Sequence, residues 1–290
     1  MATRSDVRLG RALLAPAVVV LAAWAIVPLV VTAYFSTIDY RLLVPTPTRF
    51  VGIANYVDFV SDPAFLASLR NTVVIVVSVI AGSLGIGLPL ALLLDQAVIG
   101  RRVVRLMVIA PFFIMPTVSA LVWKNLLLNP VNGLMAWLFQ VFGMRPIDWF
   151  ADAPLAAIIL VVSWQWLPVA TLILLTSLQS VDREQIEAAA MDGAGPMSRF
   201  LHVTLPHLAR PMSVVVLIST IFLLGVFAEI FVTTSGGPGI ATTNLAYLVF
   251  SRALLQFDVG SAAAGGILAV ITANVVAIAL LRVVGRSLER

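Results

Sequence analysis

Long apolar stretches alternate with short polar ones along this chain, and that alternation predicts helices that cross a membrane. Each stretch has about 20 residues or more, the length that a helix needs to span a hydrocarbon core of roughly 30 Å. Only helices and closed barrels satisfy every backbone polar group in lipid, and the alternating ten-residue segments typical of a barrel are missing. The six predicted spans are approximately Leu9–Ser36, Asn71–Leu94, Val103–Leu127, Pro154–Leu178, Met212–Thr234 and Val259–Val284.

The composition supports the same conclusion. The chain has 290 residues, of which 61% are hydrophobic and 11% are charged, whereas average soluble domains have roughly 25% charged residues. The first apolar stretch is too long for a signal peptide, and no small-residue cleavage site follows it, so we expect it to be retained as a helix. The sequence therefore predicts an all-α polytopic membrane protein with six transmembrane helices.

Basic residues are distributed unequally between the two ends of the predicted spans. With six spans, the N-terminus, the segment 95–102, the polar stretch 181–211 and the C-terminus share one side of the membrane. Twelve of the 18 lysine and arginine residues lie in or beside these segments. The positive-inside rule then places both termini in the cytoplasm. The net charge of +4 is thus explained by orientation and anionic lipid, and no nucleic-acid partner is expected.

The stretch 181–211 is a polar, helix-prone segment between two apolar spans. Asp182 is placed to cap a first helix, and Gly193 is the residue best able to end it in a left-handed conformation. Pro196 can open a second short helix, which Pro206 is expected to help end. These signals predict a helical hairpin, which we call the polar hairpin.

The spacing within the polar hairpin carries a family resemblance. Glu187-Ala188-Ala189 is followed after three residues by Gly193, and after nine more by Val203-Thr204-Leu205-Pro206. This pattern resembles the EAA loop in permease subunits of binding-protein-dependent ABC importers; the alternative is an ordinary amphipathic connector. The resemblance implies a coupling helix that docks in a groove of the ATPase subunit. The implied docking residues are Glu187, Ala188, Ala189, Asp192, Gly193, Ala194, Leu205 and Pro206.

The resemblance extends over roughly residues 69–285, which are similar to the membrane core of sugar-type permeases of the maltose and glycerol-phosphate kind. The segment 234–245, with its turn Gly236-Gly237-Pro238-Gly239, resembles the external segment of sugar and sugar-alcohol permeases. Together with Asp258-Val259-Gly260 it is most similar to mannitol and sorbitol permeases. The implied fold is that of a type I ABC importer permease. Residues 1–68 would form an N-terminal transmembrane helix and a first periplasmic segment. Residues 69–290 would form a permease core of five helices with the cytoplasmic coupling loop 181–211.

The family also implies partners in a bacterial inner membrane. They are a second permease subunit, two copies of an ABC ATPase subunit and a periplasmic solute-binding protein that delivers a sugar or sugar alcohol. ATP and Mg would be bound by the ATPase. Because Lys124 is the only lysine, this chain has no phosphate-binding G-x-x-x-x-G-K-[ST] loop, and we expect neither a cofactor nor enzymatic activity in it. An ion-coupled secondary transporter and a permease for a non-sugar solute are the alternatives.

Polar and aromatic residues inside the spans are candidates for the substrate pathway, because polar groups are costly in lipid and need a reason to be there. Indoles can stack on sugar rings and a nearby amide can fix hydroxyls, although tryptophans can equally anchor helix packing. No catalytic or metal-binding residues are expected. The pathway candidates are Trp164, Gln165, Glu229, Asn274 and Trp123.

Two further expectations concern the shapes of the third and fifth spans. Pro111 and Pro116 are expected to kink the third span. Glu229 is expected on one continuous face of the fifth span, where it would line the pathway or contact a neighbouring helix. That face consists of residues at three- and four-residue steps, namely Ser219, Phe222, Val226, Glu229 and Thr233.

Overall fold

The computed structural model describes residues 4–44, 48–96 and 100–288 and is predominantly helical, which confirms the all-α prediction. Two short antiparallel strands, β1 (Ile38–Asp39) and β2 (Arg49–Phe50), follow the first helix. The α-helices of the described residues are α1 (Arg4–Phe35), α2 (Ala54–Ser61), α3 (Pro63–Asp95), α4 (Arg101–Ile109), α5 (Pro116–Val122), α6 (Leu134–Val141), α7 (Trp149–Asp152), α8 (Pro154–Leu178), α9 (Arg183–Met191), α10 (Pro196–Arg199), α11 (Leu205–Leu223), α12 (Ala228–Thr233), α13 (Leu245–Phe250) and α14 (Val259–Leu288).

Other helical turns extend some of these helices. A 3-10 turn, Ala110–Phe113, follows α4. π-helical turns, in which each N–H bonds five residues back, follow α5, α10 and α13. They are Trp123–Leu127, Phe200–Thr204 and Ser251–Leu255.

Five helices in the described residues are long and apolar enough to cross a membrane, and a bent helix pair makes a sixth span if it is counted as one. This agrees with the six predicted spans. The bent pair is Arg102–Phe113 with Pro116–Leu127. The five long helices are Leu13–Phe35, Pro63–Asp95, Pro154–Leu178, Pro196–Leu223 and Val259–Arg282.

The third span is bent by 107° between its two halves, which confirms the predicted kink. Pro116 has no N–H to donate and disfavours a helical conformation at the preceding residue, and Met115 is accordingly extended with ψ 135°. The break releases the carbonyl of Ile114, which accepts a hydrogen bond of 2.9 Å from the Gln165 side chain of α8. A side chain 51 residues away thus replaces the lost helical donor.

The fifth span is broken as well, and here the prediction of one continuous face was wrong. Helix α11 ends at Leu223 and α12 begins only at Ala228. Gly225, a residue that weakens helices, lies in the break. The Asn244 side chain donates to the carbonyl of Val226 at 2.5 Å. The residues expected on one face are therefore divided between two helices and the loop that joins them.

The described residues form two compact units. The first consists of the chain up to Asp62 together with Val249–Val270, and the second consists of Pro63–Leu248 together with the chain from Ile271 onward. In the first unit, the Asn55 side chain donates hydrogen bonds of 2.9 and 2.8 Å to the carbonyls of Ser36 and Ile38, which follow the last residue of α1. Arg252 and Asp62 form an ion pair in the same unit. The predicted division at residues 68 and 69 stays a prediction.

The second unit is organised by the close approach of α3 and α8, its most extensive helix pair. Glycines on α3 make this approach possible. A Cβ atom at Gly87 would lie 3.2 Å from the Cβ of Ala170, and one at Gly82 would lie 3.4 Å from the hydroxyl of Ser163. Small residues are the usual means by which membrane helices come this close.

The loop after α12 is attached to α3 through one buried amide. The Asn71 side chain donates to the carbonyls of Ile240, Ala241 and Thr243 at 3.2, 3.1 and 3.0 Å. The hydroxyl of Thr72 accepts a further bond of 3.0 Å from the N–H of Leu245. Two neighbouring residues of α3 thus hold the backbone of this loop.

We predict that Asn71→Leu destabilises the loop, because leucine has a similar volume but leaves the loop carbonyls without their donor. The expected loss is about 1–3 kcal/mol, the usual cost of leaving a buried polar group unsatisfied. Thermal unfolding and limited proteolysis of the purified protein in detergent measure it. Asn132→Leu, at an exposed asparagine, is the matched control. Equal stability of the two variants would contradict this role of Asn71.

Candidate functional site

The first helix of the polar hairpin carries its own start and stop signals. The Asp182 carboxylate accepts a hydrogen bond of 2.9 Å from the N–H of Glu184, which confirms the predicted cap. Gly193 has φ +82°. Its N–H donates to the carbonyl of Ala190 at 3.1 Å, and the next N–H, of Ala194, donates to that of Ala189 at 3.0 Å. This pair of bonds is a Schellman motif, so α9 ends where the sequence predicted.

The second arm of the polar hairpin differs from the prediction. Pro196 opens α10 as expected, but Pro206 does not help to end the helix, which continues from Pro196 to Leu223. The π-helical turn explains the difference. It inserts one extra residue before Pro206, so that the N–H of Leu205 bonds back to Phe200. The missing N–H of the proline is thus accommodated within a continuous helix.

The predicted docking residues lie on an accessible surface of the polar hairpin. Glu187, Ala188, Asp192, Gly193 and Pro206 are exposed, whereas Ala189, Ala194 and Leu205 are half-buried. Their roles stay a prediction.

Two exposed methionines flank the turn of the polar hairpin and were missed in the sequence analysis. Met191 is 89% exposed and Met197 is 68% exposed. Methionine is flexible and polarisable, and it is common on surfaces that bind partners. An apolar residue within a polar segment is the signal that could have identified them.

The base of the polar hairpin is fastened to the end of α8. The His207 ring nitrogen Nε2 lies 3.2 Å from the carbonyl of Ser177 and 3.3 Å from the hydroxyl of Ser180. The next residue, Leu208, is fully buried in a cluster with Leu174 and Leu178. Two neighbouring residues of α11 thus connect the base of the hairpin to α8.

The predicted pathway residues do not form a single site. The rings of Trp123 and Trp164 meet edge to face, with their centroids 5.7 Å apart, inside a packed cluster. Gln165 is buried and uses its amide at the break in the third span. Glu229 is 5% exposed on the short helix α12. Asn274 is exposed on α14. Their part in a pathway stays a prediction.

An aromatic face, consisting of Phe112, Phe113, Trp166 and Phe222, lies beside the break in the third span. Ring centroids are 5.8 Å apart between the two adjacent phenylalanines, 6.3 Å between Phe112 and Trp166, and 5.6 Å between Trp166 and Phe222. Phe113 is 77% exposed and Phe222 is 63% exposed. Trp166 is two residues after Trp164, or about 200° around the helix, so the two indoles lie on different sides of α8.

A cavity of about 480 Å³ lies near the N-terminal end of α8, and we call it the loop cavity. The ammonium group of Lys124 donates to the carbonyls of Val232 and Thr233 at 3.2 and 2.7 Å, at the C-terminal end of α12. A cation is favourable at that end of a helix. The cavity is lined by Lys124, Asn125, Asn129, Pro130, Asp148, Phe150, Ala151, Thr233, Thr234, Gly237 and Pro238.

Within the described ranges, no group of three or more histidine, aspartate or glutamate side chains is placed to hold a metal ion.

The known proteins to which this chain is similar are membrane components of transport systems. Residues 83–290 match the family described as "Binding-protein-dependent transport system inner membrane component". The trehalose/maltose transport system permease protein MalF of Thermococcus litoralis is 33% identical over 89% of this chain and 88% of that protein. The sn-glycerol-3-phosphate transport system permease protein UgpA of Agrobacterium fabrum is 30% identical over 76% of each.

Among solved structures, a chain of the bacterial alginate ABC transporter, crystallised with an alginate pentasaccharide-bound periplasmic protein, has the same fold. Its TM-score is 0.80, with 19% identity over 94% of this chain and 93% of that chain. The likeness confirms the predicted type I importer permease fold.

We predict that Gly193→Val frays the end of α9, whereas Gly195→Val does not. Both glycines have open space around their Cα atoms, but only Gly193 has positive φ, which costs other residues roughly 1–2 kcal/mol. Amide hydrogen exchange over residues 187–194 should be about 5- to 30-fold faster in Gly193→Val. Gly193→Asn should lie between wild type and valine, because asparagine tolerates this conformation. Equal exchange in the two valine variants would contradict the role of the left-handed turn.

Proposed function

Because the chain belongs to the family of inner membrane components of binding-protein-dependent transport systems, we propose that it forms part of the pathway by which a sugar or sugar alcohol is imported at the expense of ATP. A periplasmic binding protein would deliver the solute. A second permease subunit would complete the pathway, and two ATPase subunits would bind ATP and Mg. Both termini and the polar hairpin would face the cytoplasm.

The polar hairpin is the observation that carries this proposal. It projects an exposed helix, stopped at Gly193 and flanked by exposed methionines, which is a surface suited to a groove on a partner. Its base is fastened to α8 through His207 and packed into the core through Leu208. ATP-driven closure of the ATPase pair would push on this hairpin and tilt α8 and α11. Coupling of this kind requires that ATP binds better to one global state of the complex than to the other, and that the hairpin transmits this difference.

The proposal of a sugar rests on two observations. The relatives include permeases named for trehalose/maltose and for sn-glycerol-3-phosphate. The aromatic face supplies exposed ring surfaces beside two helix breaks, and aromatic rings can pack against the apolar faces of sugar rings. On this interpretation Trp166, and not Trp164, would meet the solute. The polyol class is proposed only from the resemblance of segment 234–245 and the following Asp258-Val259-Gly260.

The experiment that tests the function is the ATPase activity of the purified complex, assembled from the neighbouring gene products in lipid. We expect activity to rise when the binding protein is loaded with one class among sugars, sugar alcohols and glycerol phosphates. Stimulation by a non-sugar solute would replace the proposed cargo. Uptake that runs on an ion gradient without ATP would instead establish a secondary transporter.

We predict that Glu187→Lys abolishes stimulation of the ATPase while the subunit stays in the membrane. The charge of an exposed docking residue would be reversed without any change in the core. Glu184→Lys makes the same charge change one turn earlier on α9 and serves as the control. ATPase activity and solute uptake in proteoliposomes measure the effect. Normal stimulation and uptake by Glu187→Lys would rule out its role in coupling.

A further inference from the structure

The loop cavity and the polar hairpin lie near opposite ends of α8. Phe150 and Ala151 of the cavity wall precede the first residue of α8, Pro154, while the hairpin follows its last residue, Leu178. A helix of 25 residues is about 38 Å long, which exceeds the thickness of a hydrocarbon core. If the hairpin faces the ATPase, the loop cavity therefore opens on the side from which solute arrives.

The polar groups of the cavity have unused hydrogen-bonding capacity. An ammonium group has three N–H donors, and that of Lys124 uses two of them on backbone carbonyls. Asp148 accepts a bond of 3.2 Å from the N–H of Ala151 through Oδ1, and among the described residues its second carboxylate oxygen has no donor. Asn125 donates through Nδ2 to the carbonyl of Leu121 at 3.0 Å, which leaves its Oδ1 as an acceptor.

The charges of the cavity restrict the kind of ligand. Lys124 and Asp148 do not form an ion pair with each other in the part of the chain that the structure describes. An anion would be attracted by Lys124 but repelled by Asp148, and a cation the reverse, so the pair gives neither a net preference. A neutral molecule with several hydroxyl groups suits both, because a hydroxyl donates to the carboxylate and accepts from the ammonium group.

The rest of the wall of the loop cavity also suits a neutral molecule with several hydroxyl groups. Phe150 provides a ring surface for the apolar side of such a molecule, and the cavity volume of about 480 Å³ lies within the usual range of roughly 300–1,000 Å³ for small-molecule sites. The cavity is distinct from the aromatic face, because Trp166 lies 12 residues after Pro154 on α8, or about 18 Å along the helix.

We propose that the loop cavity is a binding subsite for a neutral, hydroxylated solute, occupied between release from the binding protein and passage to the aromatic face. The ligand class and direction of travel rest on the function proposed above. Lys124 donates to the solute, Asp148 and Asn125 accept from it, and Phe150 packs against it.

The absence of cysteine from the sequence permits a direct test by labelling. Ala151→Cys places a single thiol in the cavity wall, and Asp152→Cys places one on the next, exposed residue, which does not line the cavity. The complex in proteoliposomes, without ATP or binding protein, is treated with a membrane-impermeant maleimide in rising concentrations of maltose, trehalose or mannitol. We expect at least one of these solutes to slow labelling of Ala151→Cys several-fold and saturably, and to leave Asp152→Cys unchanged.

Asp148→Asn supplies the second measurement. Asparagine keeps the Oδ1 acceptor that caps α7 but removes the carboxylate charge, so the fold is preserved while the bond to solute weakens. In Ala151→Cys carrying this change, the solute concentration for half-maximal protection should rise about tenfold. Asp152→Asn in the same background should not change it.

The two proposals fail in different ways. If a sugar stimulates the ATPase but no solute protects Ala151→Cys, or if protection is the same with and without Asp148→Asn, the subsite is wrong and the importer function stands. Protection that depends on Asp148, in a complex whose ATPase no sugar stimulates, supports the subsite and removes the proposed cargo.

Discussion

Backbone carbonyls released where helices break in apolar surroundings depend on side-chain donors from distant parts of the chain. Each break described above has such a donor, and lipid has none to offer. Gln165 serves the break in the third span and Asn244 the break in the fifth. Lys124 serves the end of α12, and Asn71 the loop that follows it. Without these four side chains, the bends that create the aromatic face and the loop cavity would leave unsatisfied polar groups.

Because of this constraint, polar residues within the spans can have a structural role in place of a role in solute binding. A glutamine or asparagine in an apolar helix suggests contact with solute, and for that reason the sequence predicts Gln165 as a pathway residue. In the structure its amide replaces a helical hydrogen bond 51 residues away along the chain. On the function proposed above, the surfaces left for solute would be aromatic side chains and the loops, whose backbone groups are already hydrogen-bonded.

Much of the fold could be predicted because its signals are local. The fourth span has the predicted bounds Pro154–Leu178, and the cap at Asp182, the turn at Gly193 and the kink near Pro116 follow from single residues. The break after Leu223 could not be predicted, since it contains no proline and depends on Asn244 from a later loop. Sequence spacing also does not reveal which of Trp164 and Trp166 faces the core. In a fully apolar helix, the packing of neighbouring helices determines which side becomes buried.

Because a π-helical turn leads directly into α11, the spacing of the EAA-like pattern determines the orientation of α11 about its own axis. Each residue of an α-helix advances it by about 100°, so the nine helical residues between Gly195 and Leu205 determine a rotational phase as well as a length. Removing one of them would turn α11 about its axis and carry Leu208 out of the cluster in which it is fully buried. The number of residues in this interval therefore determines which side of α11 faces the core.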